Sequence, residues 1–312
     1  MTSMTSTISA TSTMATRPKS TQTSQQITEA LAFALSLADS ADVVTMAHFR
    51  NQALVIETKA DLTEVTIADR NTESVIRERI LAERPGDGLL GEEHGTIDST
   101  NGIRWIVDPI DGTGNYVRGV PIWATLIARE CNGVLDVGVV SAPAMRNRWW
   151  AAQDQGAFAD DRRLRVSKID ELANAFLSYS EGPWESHGMR EQLEHLRKTT
   201  YRHRAFGDFW QHMLVAEGAC DIGTEAIVSV WDLAAIQIIV EEAGGVFTDL
   251  AGNARPDGGS ALSTNGVLHA KTLSFLSSES ARPSVAPTSP APSVLGTAAD
   301  STVPAAPAAI VH

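Results

Sequence analysis

Only two cysteines, Cys131 and Cys220, occur in the 312 residues. Two so far apart make neither a disulfide framework nor a zinc spacing, and both are expected to stay reduced in the cytoplasm. No uninterrupted apolar run of about 18 residues occurs, so no membrane-spanning helix is expected. The Ser/Thr-rich N-terminus has no apolar h-region, which argues against a secretory signal, and Arg17 and Lys19 alone are too little charge for a transit peptide. Neither a Cys-x5-Arg loop nor a Gly-x-Ser-x-Gly elbow is present, so no covalent nucleophile stands out. Basic residues are also scarce: Lys+Arg 25 against Asp+Glu 38 gives a net charge of −13. That disfavours nucleic acid and anionic membranes as partners. It does not disfavour a phosphorylated substrate, because bound divalent metals can invert a local field.

With 43% hydrophobic residues the chain can bury a large core. Residues 1–24 are Thr/Ser-rich and 277–312 Ala/Pro-rich, and neither end carries enough large apolar side chains to order itself. The folded body is therefore expected over 25–276. Ile27, Leu31, Ala34, Leu35, Ala38 and Ala41 recur at helical spacing. Thr66 is placed to cap a second helix with Asp69 in its first turn and Val75, Ile76 and Ile80 inward. Asn132-Gly133, between apolar runs 123–130 and 134–140, predicts a type I′ hairpin. Helices followed by antiparallel strands make 25–160 an α+β half. Strands and helices alternate from 161 to 276, which predicts a layered α/β half.

The stretch Trp105-Ile106-Val107-Asp108-Pro109-Ile110-Asp111-Gly112-Thr113 begins as a buried strand and turns abruptly acidic. Pro109 biases Asp108 towards extended backbone, so the strand is expected to stop there. Two carboxylates then project into a turn. Gly112 permits close backbone approach, and Thr113 adds a hydroxyl. Hard oxygen ligands beside an anion cradle suit Mg²⁺ bridging to phosphate. The plain alternative is an Asx-rich turn that only ends a strand. Taken singly, Asp69, Glu92 and Asp232 are ordinary helix-start or surface acids.

Taken together and in order, these segments resemble the inositol monophosphatase family. They are Lys59 with Asp61 to Asp69, then Gly91-Glu92-Glu93, then 108–113, and last Trp231-Asp232 followed by Glu242-Ala243-Gly244-Gly245. The resemblance implies an α/β/α/β/α sandwich, a homodimer, and hydrolysis of phosphate monoesters with two or three Mg²⁺ per site. Carried over residue by residue, it gives Glu92, Asp108 and the Ile110 carbonyl to a first metal, and Asp108, Asp111 and Asp232 to a second. Gly112 and Thr113 offer backbone N–H groups to phosphate, and Asp69 with Thr113 positions and deprotonates the attacking water. The substrate lies among Glu92, Asp111, Gly112, Thr113, Gly114, Asn115 and Asp232, with Arg204, Gly207, Asp208 and Glu225 from the second half.

Inositol-specific members place small residues after the glycine, whereas this chain reads Phe206-Gly207-Asp208-Phe209-Trp210. That segment and Gly114-Asn115-Tyr116 resemble the actinobacterial histidinol-phosphate phosphatase branch. An acidic pocket suits an ammonium, and an aromatic face suits an imidazole, although at least one of Phe209 and Trp210 is expected to face the core. The alternatives are inositol 1-phosphate, fructose 1,6-bisphosphate or a 3′-phosphoadenosine nucleotide as substrate. From another class comes a regulatory protein on the same scaffold that touches RNA or transcription machinery.

Overall fold

The structure is a computed structural model that describes residues 18–52, 54–58, 64–182, 184–185 and 188–276. Lys59 and Asp61 lie outside the described residues.

The elements run α1 (Ser24–His48), β1 (Ile56–Thr58), β2 (Glu64–Thr66), α2 (Ile67–Glu83), β3 (Gly88–Gly91), β4 (Gly95–Ile97), β5 (Ile103–Asp111), α3 (Thr113–Val117), β6 (Ala124–Cys131), β7 (Val134–Ala142), β8 (Asn147–Ala152), β9 (Gly156–Ala159) and β10 (Arg162–Arg163). There follow β11 (Phe176–Tyr179), α4 (Arg190–Thr199), β12 (Arg202–Arg204), α5 (Asp208–Ala216), β13 (Ile222–Glu225), α6 (Val230–Glu242), β14 (Val246–Thr248), β15 (Ala261–Thr264) and α7 (His269–Leu276).

Two larger sheets dominate. One has the order β10-β9-β8-β7-β6-β5-β3-β4 and the other β12-β11-β13-β15-β14. The first is antiparallel except for the β3–β5 pair, and the second is parallel where β11 meets β12 and β13. Helices α1 and α2 cover one face of the first sheet, burying Leu31, Leu37, Ile76 and Ile80 on Trp105, Val107 and Val139. On its other face Phe209, Met213, Ile238 and Ile239 of α5 and α6 meet Leu126, Val140 and Trp149. Those two helices also contact the second sheet, and Leu193, Leu196 and Leu276 of α4 and α7 pack with its Leu177, Ile222 and Leu262. The layers are thus α/β/α/β/α, as the sequence resemblance implied. Because α5 and α6 belong to both sheets, the halves on either side of residue 160 share their middle layer.

Helix α1 has 25 residues and is long and apolar enough to cross a membrane by length and composition, contrary to the sequence expectation. Here Ile27, Leu31, Ala34, Leu37, Ala38 and Ala41 are buried in the core. The N-terminal boundary also shifts. Residues 18–23 lie against the body through polar contacts rather than apolar burial. Lys19 Nζ meets Asp154 Oδ2 at 2.9 Å, and the Ser20 N–H and hydroxyl donate to Gln153 and Asp136, both at 2.9 Å. The rest of the expected extension, 1–17, and the tail 277–312 lie outside the described residues.

The I′ hairpin is present, with φ 51° at Asn132 and 81° at Gly133. Strand β5, in contrast, does not stop at Asp108. It continues through Pro109 to Asp111, where Asp108 pairs with Leu126 and Asp111 with Ala124. Proline has no N–H for the ladder, so the chain absorbs it as a bulge that re-aims the strand end. The Pro109 carbonyl accepts from Thr125 Oγ1 at 2.8 Å. Val75 is half-buried rather than inward, and the inner face of α2 carries Asp69, Thr72, Glu73, Ile76 and Ile80.

Helix α6 sits very close to β7. A Cβ at Gly138 would lie 2.5 Å from Ile238 Cγ2 and 2.7 Å from the Ala235 carbonyl oxygen. We expect Gly138→Ala to force α6 off the sheet at a cost of about 1–3 kcal/mol, read as a lowered Tm in thermal unfolding. An unchanged Tm would show that the helix is not seated this tightly.

Candidate active site

The site begins where β5 ends. The bulge turns Asp108 back on its own chain, and Ile110 N donates to Asp108 Oδ1 at 2.9 Å. Gly112 follows with φ 80°, and a Cβ there would stand 3.1 Å from the Ile122 carbonyl oxygen and 3.3 Å from Asp208 Oδ2. Glycine is therefore required twice over, by conformation and by space. Thr113 Oγ1 donates to the Ile110 carbonyl at 2.9 Å and lies 3.4 Å from Asp69 Oδ1. Beneath this loop Ala68, Ile110, Tyr116 and Trp123 form a small buried cluster. Its Tyr116 hydroxyl donates to the Thr45 carbonyl of α1 at 2.7 Å.

Asp69 belongs to the capping box of α2. The Thr66 N–H (2.8 Å) and hydroxyl (2.6 Å) both donate to Asp69 Oδ2, which leaves Oδ1 towards Thr113. Burial raises the Asp69 carboxyl to about 6, against the lowering effect of Thr66. Asp232 holds the matching position in α6, its Oδ2 accepting from Ser229 N at 2.7 Å. Asp111 Oδ2 accepts from Phe209 N at the start of α5, at 2.6 Å.

Asp108, Asp111 and Asp232 each bring a carboxylate oxygen to a common place, all within 4.8 Å of one another. Burial, reinforced by the charges of Glu92, Asp232 and Asp111, holds Asp108 well above the usual carboxylate range. Burial and then Asp208, Asp232 and Glu225 do the same to Asp111. Burial lifts Asp232 to about 7 although Ser229 and Asp108 donate to it. Glu92 stands outside the tight group of three, but its charge acts on Asp69, Asp108 and Asp232.

Beside this group opens a cavity of about 360 Å³ whose walls include Asp111, Gly207, Asp208, Phe209, Glu225 and Asp232. Asp208 has φ 49°, an uncommon conformation for a non-glycine residue. Its Oδ2 accepts from Asn115 Nδ2 at 3.2 Å. Burial lifts it to about 6, with the Glu225 charge adding to the effect. Burial pushes Glu225 upward too, but His212, Ser180 and Gln211 outweigh it and hold its carboxyl below the usual range.

The structure thus gathers Asp69, Glu92, Asp108, Ile110, Asp111, Gly112, Thr113 and Asp232 at one place, with Asn115, Gly207, Asp208 and Glu225 next to it. Two expected substrate residues are not brought in. Arg204 sits on the edge strand β12, exposed, with Nη1 donating to the His203 carbonyl at 2.8 Å. Gly114 is exposed and does not wall the cavity; a Cβ there would meet Glu64 Oε2 at 3.6 Å. The aromatic wall is also smaller than expected. Phe209 touches the cavity yet is 1% exposed and packs on Trp149, while Trp210 packs on Phe206 at 4.9 Å. Ile227, Val228 and Ile236 supply the apolar wall instead.

Sequence reasoning also missed Ser180, His212 and Glu73. Glu73 is fully buried and accepts from Glu93 N at 2.6 Å and His94 N at 3.0 Å, so it anchors the loop that carries Glu92. Its signal was available: Glu73 lies four residues after Asp69, on the same helix face. His212 stands in the same relation to Asp208.

Comparison with known proteins agrees with this geometry. The profile of the inositol monophosphatase family matches residues 26–281. Over 252 residues the chain is 54% identical to a histidinol-phosphatase of Mycobacterium tuberculosis, covering 79% of this chain and 97% of that one. Over 250 residues it is 46% identical to a histidinol-phosphatase of Streptomyces coelicolor, covering 77% and 94%. Among solved structures, the extragenic suppressor protein suhB of Bartonella henselae superposes with a TM-score of 0.76 at 29% identity, covering 80% of this chain and 99% of that one. With the profile spanning most of its length and relatives this similar, the chain belongs to the inositol monophosphatase family and is a phosphatase.

Proposed function

We propose that the protein hydrolyses L-histidinol phosphate to L-histidinol and phosphate with two or three Mg²⁺ at the acidic cluster. One observation carries the substrate: a single cavity is walled both by Asp111 and Asp232 of the acidic cluster and by the half-buried Asp208 and the buried Glu225. The first pair suits a metal-bound phosphate. The second pair suits an ammonium. The relatives named histidinol-phosphatase support the same choice.

The family is metal-dependent, and the donor set suits a hard divalent cation. Its atoms are oxygens, and three of its carboxylates are crowded enough to titrate high without a counter-charge. Glu92, Asp108 and the Ile110 carbonyl would hold one ion, and Asp108, Asp111 and Asp232 a second. Bound there, such ions neutralise the ester dianion, acidify water and stabilise the leaving oxygen.

The chain supplies the rest. The N–H groups of Gly112 and Thr113 lie where α3 begins, among those a helix leaves without internal acceptors, and they orient the phosphate. Asp69, raised to about 6, is a suitable base for the attacking water through Oδ1, the oxygen turned towards the Thr113 hydroxyl. As the water's proton passes to Asp69, its oxygen bonds to phosphorus and the bond to the histidinol oxygen breaks, and that oxygen takes up a proton from solvent. Glu225 and Asp208 meet the amine, and Ile227 and Val228 flank the ring. The two cysteines are buried free thiols, which suits a cytoplasmic enzyme.

Without metal, charge crowding has a defined pH dependence. The Asp232 carboxyl is raised in the folded state from the ordinary 3.8 to about 7. Its ionisation therefore costs stability at pH above 7. The cost shrinks as pH falls through 7 and is gone below the unfolded value. In chelator, Asp232→Asn should exceed the wild type in Tm at pH 8 by a few degrees, on the order of 1 kcal/mol or more, and lose this advantage by about pH 4. A pH-independent difference would contradict the crowding.

Substrate choice is tested by kcat/KM for histidinol phosphate against inositol 1-phosphate and against the deaminated analogue, 3-(imidazol-4-yl)propyl phosphate. Histidinol phosphate should be preferred over both. Glu225→Gln should lower its preference over the analogue about 10- to 100-fold, the worth of one charge-assisted hydrogen bond. A preference for inositol 1-phosphate would overturn the substrate but not the phosphatase.

A further inference from the structure

Glu225 is a carboxylate almost wholly withdrawn from water, 6% exposed, yet it must be both charged and correctly aimed to read an amine. Its Oε1 is crowded. Ser180 Oγ donates to it at 2.7 Å, Gln211 Nε2 donates to it as well, and His212 Nε2 stands 3.6 Å away. No described hydrogen bond goes to Oε2, which leaves that oxygen for the cavity that Glu225 lines.

His212 is itself fully buried. Its Nδ1 is 2.7 Å from Ser263 Oγ on β15, which fixes the ring, while Nε2 has no hydrogen-bond partner and is directed at Glu225. The ring lies over Gly223 of β13, where a Cβ would come 3.3 Å from Nδ1. Apolar side chains are the usual occupants of such a place, and a buried imidazole needs a reason. The other carboxylates on the wall of this cavity are Asp208, Asp111, Asp232 and the exposed Glu181. They favour its protonation, and His212 is the basic group set against it from behind.

From this geometry we infer that His212 is a positioning residue for substrate selection: braced by Ser263, it keeps Glu225 ionised and turned so that Oε2 meets the ammonium of the substrate. The inference rests on the reading of Glu225 as the amine-binding group. The described polar contacts of His212 go to Ser263 and Glu225 and to none of the proposed metal ligands, so its influence falls on KM and on the choice between esters.

The test is kinetics of the full-length, Mg²⁺-loaded protein on histidinol phosphate and on 3-(imidazol-4-yl)propyl phosphate, which lacks the amine. His212→Phe should lower the ratio of kcat/KM between the two esters about 10-fold, chiefly through KM for histidinol phosphate. His212→Gln, which keeps a donor, should recover part of it. In a Glu225→Gln background His212→Phe should add no further loss of ratio, because its effect passes through that carboxylate. If His212→Phe does not fold, Ser263→Ala replaces it and should lower the ratio in the same direction. Equal loss on both esters, or a full additional loss in the double variant, would overturn the inference while the amine reading stands. A ratio unmoved by Glu225→Gln itself would overturn the amine reading, and this inference with it.

Discussion

Mutual repulsion among buried carboxylates is the constraint on which the arrangement depends. Asp69, Asp108, Asp111, Asp208 and Asp232 all titrate above their ordinary range, burial being the first cause in each case. The fold tolerates this because most of these acids give one oxygen to backbone or a cap and keep the other for the site. Asp69 spends Oδ2 on Thr66, Asp232 spends Oδ2 on Ser229, Asp111 spends Oδ2 on Phe209, and Asp108 spends Oδ1 on Ile110. Three of these anchors lie at the starts of α2, α5 and α6, where unpaired N–H groups and the helix dipole favour negative charge. What the helices leave uncompensated is the charge that divalent cations would meet.

The layering explains how such distant residues meet. The central helices touch both sheets, so Asp232 on α6 and Phe209 on α5 arrive beside the end of β5 because α6 is pressed onto β7 at Gly138. The small cluster of Tyr116 and Trp123, in edge contact at 4.9 Å, fixes the loop that follows β5 from below. Chemistry is thus carried by loops and helix starts, and their positions are set by apolar packing.

Much of this was legible in the sequence. Acidic residues in a turn after an apolar strand, and a capping box containing Asp69, are local signals, and local physics preserves them. What remained illegible depends on side-chain direction or on contacts distant in sequence. Arg204 holds the expected place in the order of residues, but β12 is an edge strand and the side chain faces out. Pro109 was expected to end the strand and instead makes a bulge, because β6 continues to pair beyond it. Phe209 and Trp210 are adjacent in sequence, yet one enters the core between layers and the other lies on Phe206. Ser180, just after β11, and Gln211 and His212 of α5 converge on Glu225 of β13, and the i+4 spacing of His212 from Asp208 does not announce that meeting with a different strand.

The central claim is that this acidic cluster works only with divalent cations in it. Phosphate release from L-histidinol phosphate by metal-stripped protein, followed as Mg²⁺ is added back, measures this most directly. The account predicts no turnover before the addition and full turnover after it. Full-rate release by the stripped protein in the presence of chelator would contradict it.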